Sequence, residues 1–277
     1  MIALYSFKLS KTHYKPFDFN FFKVAKLSLE MSKKIYGKTK LVTDIKSHLF
    51  LKNNGIVFDE VIFLDEILNY KGIYSEKHEL SWFNSFISKL YAMIYETEPY
   101  IMLDFDTVLL GKLPNKYDIG FAFPEIPSIT INTLLVSSHV NNTIEYVTET
   151  FKNNYESTKH LLPDNFEIHE TSPSNCAVIV NNPIIVSEIV LHIKNLFTDL
   201  EYVQLSPAFI EQFLFYNFLK YFKIDCGYIL ENEPDYINPQ SSIEFFNKKM
   251  YHFIDYDTNV NTMISVDKII NRFNINI

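Results

Sequence analysis

Two carboxylates one residue apart end the run Pro99-Tyr-Ile-Met-Leu-Asp104-Phe-Asp106, and Thr-Val-Leu-Leu follows them. In extended backbone, residues two apart point to the same side, so both acids can converge on one hard divalent cation. Water and diphosphate oxygens would fill the remaining positions, and the ion would stabilise charge on a leaving diphosphate. The tripeptide alone carries no weight. With 14 Asp in 277 residues, about one Asp-x-Asp arises by chance, and a second, Asp255-Tyr256-Asp257, lies in polar surroundings. Context separates the two: only the first closes a buried-type apolar run that follows a Lys-bearing helix. An ordinary strand-end turn is the competing reading.

A second polar feature is Glu211-Gln212 in the oily stretch Pro207-Ala-Phe-Ile-Glu-Gln-Phe-Leu-Phe-Tyr. Burying an unpaired Glu is expensive, so this pair is expected to face a site. An internal ion pair between Glu211 and a Lys is the alternative. The remaining features are exclusions. There is no phosphate-cradling Gly loop, no Cys-x-x-Cys and no Gly-x-Ser-x-Gly. Net charge is -8, which argues against nucleic acid held on a basic face. An enzyme handling anionic nucleotides would then need local positive charge or a bound cation.

The elements that must position these residues alternate from the start. Strands are expected at Ile2–Phe7, Lys40–Thr43, Glu60–Leu64 and Tyr100–Leu103. Helices are expected at Phe17–Ile35, ending at Gly37, then from an Asp44 cap through Leu51, and at Phe83–Thr97. Such alternation predicts an α/β fold with a parallel sheet, whose ligands bind beyond the carboxyl ends of the strands. The residues just after Phe7, Thr43 and Leu103 are therefore the expected site.

The second half is less regular. Strands are expected at Ile119–Phe123, Thr130–Val136 and Ala177–Asn181, and helices at His139–Tyr155, Pro183–Phe197 and Ala208–Tyr221. Polar Glu156–Ser174, with Pro163 and Pro173, reads as a loop or lid. No repeat or Gly/Ser linker divides the chain, so one domain is expected. Residues 1–112 hold its more regular half and 113–277 the elaborated one.

The skew toward Phe, Tyr, Asn, Ile and Lys reads as codon bias, so each aromatic residue carries little information. Two cysteines, Cys176 and Cys226, fit a reducing compartment. No run reaches the roughly 18–20 apolar residues needed to span a bilayer, and the N-terminus lacks the basic region of a signal peptide. A cytoplasmic protein is expected.

Ser88-Lys89-Leu90-Tyr91-Ala92, followed after seven residues by Tyr-Ile-Met-Leu-Asp104-Phe-Asp106, resembles the core of GT-A glycosyltransferases, family-8-like enzymes among them. The match is best over roughly residues 80–112. The resemblance implies a GT-A-like, Rossmann-related mixed sheet flanked by helices, with an irregular C-terminal half. It also implies transfer of a hexose from a nucleotide-sugar donor, a UDP-sugar above all, to a saccharide or other hydroxyl acceptor, with Mn2+ or Mg2+.

Residue by residue, Asp104 and Asp106 would hold the metal, Asp104 also facing the donor, and Lys89 would reach toward its phosphates. Lys89 as a solvated helix lysine is the bland alternative. Tyr5 and Ser6, at the end of the first strand, would contact base and ribose, although a core tyrosine reads equally well there. Asn175, before the strand Ala177–Val180, would bind a sugar hydroxyl, although Ala177 stands where the family often has Gly. Glu211 and Gln212 resemble an acid–Gln pair at the acceptor side, Glu211 being the candidate catalytic carboxylate. In Tyr251-His252-Phe253, His252 resembles a late third metal ligand, but the usual Gly-x-x-Lys after it is missing. The competing readings are a non-catalytic sugar- or protein-binding relative, and a nucleotidyltransferase or phosphohydrolase using the paired Asp.

Overall fold

The computed structural model describes residues 1–7, 9, 17–64, 89–114, 116–122, 124–125, 152–168, 172–174, 176–198, 209–230, 249–253 and 260–277. Seven strands form the central sheet: β1 (Ile2–Phe7), β2 (Thr39–Thr43), β3 (Glu60–Phe63), β4 (Tyr100–Leu103), β6 (Ile119–Phe121), β9 (Ala177–Val180) and β10 (Cys226–Tyr228). Their order is β10-β6-β9-β4-β1-β2-β3, and only β9 pairs antiparallel to its neighbours. The expected α/β class is what the structure has, a mostly parallel mixed sheet flanked by helices. β5 (Thr107–Leu109) and β11 (Met250–His252) make a separate antiparallel ribbon, and β7 (Pro124–Glu125) with β8 (Ser172–Pro173) makes another.

Both sheet faces are covered, which is why its strands read as continuous apolar runs. Alternate residues enter opposite cores. Ile2 and Leu4 of β1, Tyr100 and Met102 of β4, and Val178 and Val180 of β9 enter the first. Helices α3 (Pro183–Thr198) and α4 (Phe215–Tyr221) pack there, with a π-helical stretch, Phe209–Leu214, leading into α4. Ala3, Tyr5, Ile101, Leu103, Ala177 and Ile179 enter the second core. It lies under α1 (Phe19–Tyr36), α5 (Val260–Phe273) and the β5–β11 ribbon.

Local chemistry sets the helix ends. Asp18 accepts from the Phe21 amide at 2.9 Å and starts α1, and Gly37 ends it at φ +81° with its amide on the Lys33 carbonyl. α2 (Ile45–Asn53) is capped by Asp44, as expected, through the Ser47 amide at 2.7 Å.

Several elements differ from the sequence reading. The helix expected to reach Thr97 tightens into a 3-10 turn at Met93–Tyr95, where Glu96 turns back to accept from the amides of Thr97 and Glu98. The expected lid is partly regular structure: its first residues, 156–158, continue a helix that runs from 152, Lys159–Leu161 is a 3-10 turn, and β8 pairs with β7. Leu162, Phe166 and Ile168 tie that stretch to the first core, an apolar anchor that its polar composition concealed. Helix α5 and strands β5 and β10 were not anticipated. The expected strand Thr130–Val136, most of His139–Tyr155, Trp82 and Asp255–Asp257 lie outside the described residues. None of the described helices is long and apolar enough to cross a membrane.

Candidate metal centre and active site

The site forms where β4 ends. Asp104 leaves the sheet with its amide on the Cys176 carbonyl at 3.0 Å, which extends the β4–β9 pairing by one residue. A tight turn follows, closed by the Thr107 amide on the Asp104 carbonyl at 3.1 Å. The turn sends the chain into β5, and β5 pairs with β11 so that Thr107 lies opposite His252. The Phe253 amide then reaches the Asp106 carbonyl at 2.8 Å. Ladder and turn together bring two neighbouring acids and a distant histidine to one place.

Ligand atoms of Asp104, Asp106 and His252 all lie within 4.8 Å of one another. His252 Nε2 is 3.2 Å from Asp106 Oδ1. Behind Asp104 stands Lys89, in the last helical turn before Met93–Tyr95 and only 5% exposed. Its Nζ is 2.7 Å from Asp104 Oδ1 and 3.7 Å from Glu211 Oε1. The bland reading of Lys89 as a solvated helix lysine does not hold. For Glu211, site-facing residue and ion-pair partner of a lysine are the same place, and the residue is 2% exposed.

Glu211 and Gln212 sit in the π-helical stretch Phe209–Leu214 where one continuous α-helix was expected. Such wide turns are rare and recur at functional sites, because the extra residue re-aims side chains. Glu211 is buried and Gln212 half-buried.

The electrostatics follow from this crowding. Desolvation pushes the Asp104 carboxyl up, against the opposing pull of Lys89. Burial alone would lower the Lys89 ammonium, but the charges of Asp104 and Glu211 outweigh it and hold the group above its ordinary value. Burial likewise works against a charged His252, and Asp106 overrides it, holding the imidazole well above its usual range. The cluster thus sets the Asp104 and Asp106 carboxylates against the Lys89 ammonium and the His252 imidazole. The donor set, two carboxylates and one imidazole, suits a divalent metal ion, which His252 would ligate through an unprotonated nitrogen.

The other expected site residues fall as follows. Ser6 is half-buried at the carboxyl end of β1, beside Val42 of β2. Tyr5 is fully buried, its ring against Phe58 and Phe105 and its hydroxyl 3.0 Å from Ser28 Oγ and 2.8 Å from Ser32 Oγ. Burial pushes that hydroxyl up to about 12. These surroundings match a core tyrosine, with both ring faces enclosed and none offered to a base. Asn175 lies outside the described residues. The sequence reading missed Cys176, whose thiol accepts from Ser174 Oγ at 3.2 Å and whose carbonyl takes the Asp104 amide. It also missed Ser28 and Ser32. Two hydroxyls four residues apart on the apolar face of α1 were the signal that could have found them.

In fold, the chain is similar to mouse xyloside xylosyltransferase 1 in its apo form. That likeness has 11% identity and a TM-score of 0.44, over 94% of this chain and 98% of the other. It is similar also to the galactosyltransferase LgtC in complex with donor and acceptor sugar analogues, at 7% identity and TM-score 0.43, over 97% and 96%. No protein-family model and no curated protein sequence matches the chain. Identities and scores this low carry nothing about chemistry, which rests on the residues of the site.

Proposed function

We propose that the chain is a metal-dependent glycosyltransferase of GT-A type, moving a hexose from a nucleotide-sugar, most simply a UDP-sugar, to a saccharide or other hydroxyl acceptor. The observation that carries this is the meeting of Asp104, Asp106 and His252 at the carboxyl end of β4, with Lys89 and Glu211 behind Asp104. Open α/β sheets bind ligands beyond the carboxyl ends of their strands, and the site stands there. Asp104, Asp106 and His252 would hold Mn2+ or Mg2+. The ion would supply Lewis-acid stabilisation of charge on the leaving diphosphate.

The chain's own residues do the rest. Lys89 holds the Asp104 carboxylate in place and adds positive charge toward the donor's phosphates. In the transfer, the acceptor oxygen bonds to the anomeric carbon as the bond to the diphosphate oxygen breaks. The acceptor's proton needs a base. Glu211 is the candidate for that proton or for binding the acceptor, with Gln212 and Asn175 offering amide donors and acceptors to sugar hydroxyls. Ser6, at the end of β1, would contact the nucleoside. On this reading residues 1–112 form the donor half and residues 113–277 the acceptor half of one catalytic unit.

The test is a thermal-shift panel of UDP, GDP, CMP and ATP, each with and without Mn2+, on wild type and on Asp104→Ala/Asp106→Ala. A ligand at about 100 times its Kd stabilises the native state by about 2.7 kcal/mol, roughly 5 °C for a chain of this size. One nucleotide should raise the Tm only with Mn2+ present, and the double variant should lose that shift. The cognate UDP-sugar should then be slowly hydrolysed with Mn2+. No shift for any nucleotide under either condition would remove the donor-binding reading.

A further inference from the structure

The Thr107 backbone is the point from which all three candidate ligands hang. Its amide closes the turn onto the Asp104 carbonyl, Asp106 precedes it, and His252 lies opposite it across the ribbon. Antiparallel partners alternate between bonded and non-bonded pairs. The ladder bonds of this ribbon fall on Asp106 with Phe253, and on Leu110 with Lys249. Thr107 and His252 are therefore a non-bonded pair, and the Thr107 carbonyl points away from β11 toward α1. Thr107 is fully buried, so that carbonyl needs a partner from protein.

Ser28 supplies it. Its hydroxyl donates to the Thr107 carbonyl at 2.5 Å. Because a serine has one proton, the contact between Ser28 and Tyr5 must then be donated by Tyr5, and the contact between Tyr5 and Ser32 by Ser32. The chain Ser32 → Tyr5 → Ser28 → Thr107 carbonyl runs in one direction through four fully buried residues, each bond polarising the next. Tyr5 comes from β1 and the serines from α1, so the chain fixes the metal turn to both.

We infer that Ser28, oriented by Tyr5, is a positioning residue for the metal centre, setting the Asp104–Thr107 turn and with it the spacing of the Asp106 and His252 ligand atoms. The inference rests on the metal reading of the site, and it concerns residues that touch neither ion nor substrate. Groups of this kind, one bond removed from the ligands, commonly change metal affinity by 10–100-fold when removed.

The experiment measures Mn2+ binding by EPR titration of the free ion, without nucleotide, on the full chain. Wild type is compared with Ser28→Ala and Ser32→Ala, two fully buried serines one turn apart on α1. Each variant loses one hydroxyl of the same network, and only Ser28→Ala frees the Thr107 carbonyl. Ser28→Ala should weaken Mn2+ by about tenfold and change the zero-field splitting of the bound ion, while Ser32→Ala stays within twofold of wild type. Both should lower the Tm in the absence of metal, Ser28→Ala the more, because it also leaves the Thr107 carbonyl unpaired. Ser28→Cys keeps the size and weakens the donor, and it carries the same expectation should the alanine variant not fold. Wild-type affinity in Ser28→Ala, or equal weakening in both alanine variants, overturns the positioning role and leaves the metal reading standing. Failure of wild type to bind Mn2+ overturns both.

Discussion

Lys89 offers the sharpest test of how the site is balanced. Its ammonium is 2.7 Å from Asp104 Oδ1 and 3.7 Å from Glu211 Oε1, in a place that leaves the lysine 5% and Glu211 2% exposed. With an effective dielectric constant of ~20, the gross attractions are about 6 and about 4.5 kcal/mol, most of it offset by desolvation of three charged groups. Removing one partner of a buried pair exposes that desolvation cost, so Lys89→Met should destabilise the metal-free protein by about 3–5 kcal/mol. At the entropy of unfolding usual for this size, that is a Tm loss of roughly 5–10 °C. Glu211→Gln alone should cost about 1–3 kcal/mol. If the two side chains act on each other, the double variant Lys89→Met/Glu211→Gln should be more stable than the sum of the singles by about 2 kcal/mol. The assay is urea unfolding followed by circular dichroism, with and without Mn2+. Added Mn2+ should recover part of the Lys89→Met loss, since it returns positive charge to Asp104. Additivity of the two substitutions within about 0.5 kcal/mol would refute the coupling.

Two further outcomes follow from other parts of the molecule. Lys40 and Glu96 form a buried 2.6 Å ion pair at the amino-terminal end of β2, away from the metal centre. Lys40→Ala should therefore lower stability by about 3–5 kcal/mol in urea unfolding and leave Mn2+ affinity unchanged. Asp59 is held below its usual carboxylate range: desolvation opposes this, but hydrogen bonds from Thr39 and the charge of Lys33 outweigh it. A depressed folded-state value means stability that is present above about pH 4 and lost as pH falls through the folded value, so Asp59→Asn should flatten the acid side of a Tm–pH profile.

Local period and long-range ladder divide what the sequence could tell. The strand ends and the Asp104–Asp106 pair were legible because a two-residue period and a closing apolar run are local facts. So were the Asp44 cap and the Gly37 terminator. Tyr5 read equally well as a base-contacting residue and as a core tyrosine, and its parity along β1 favours the core. Ala3, Tyr5 and Phe7 share a face, and that face is closed by α1. Glu211 was legible as a polar residue in an apolar helix and Lys89 through the resemblance, but their meeting was not, since it depends on where the two helices cross the sheet. The π-helical widening at Phe209–Leu214 has no signature in residue spacing, because one extra residue per turn leaves the apolar pattern nearly unchanged over six residues. His252 was reached through resemblance alone. Nothing local in Tyr251-His252-Phe253 states that it pairs with the residues after Asp106.

That pairing rests on very little backbone. β5 and β11 contribute three residues each, and an isolated two-stranded ribbon is marginal in water even when longer. It persists because both its faces are buried: Leu109 and Met250 on one side and Val108 on the other are fully enclosed in the cluster that also holds Val266 and Ile269 of α5. α5 is tied in turn to α1 by Lys23 on Asp267 and by Lys34 on the Phe273 carbonyl, both at 2.5 Å. The third ligand is thus delivered by the docking of the ribbon against α1, while Asp104 is delivered by the central sheet and Asp106 by the turn between the two. An ion held by Asp104, Asp106 and His252 would join those two bodies directly, so ion binding and ribbon docking are linked equilibria. Each must strengthen the other, and hydrogen exchange at the amides of β11 should slow when Mn2+ is added if the three residues hold it together.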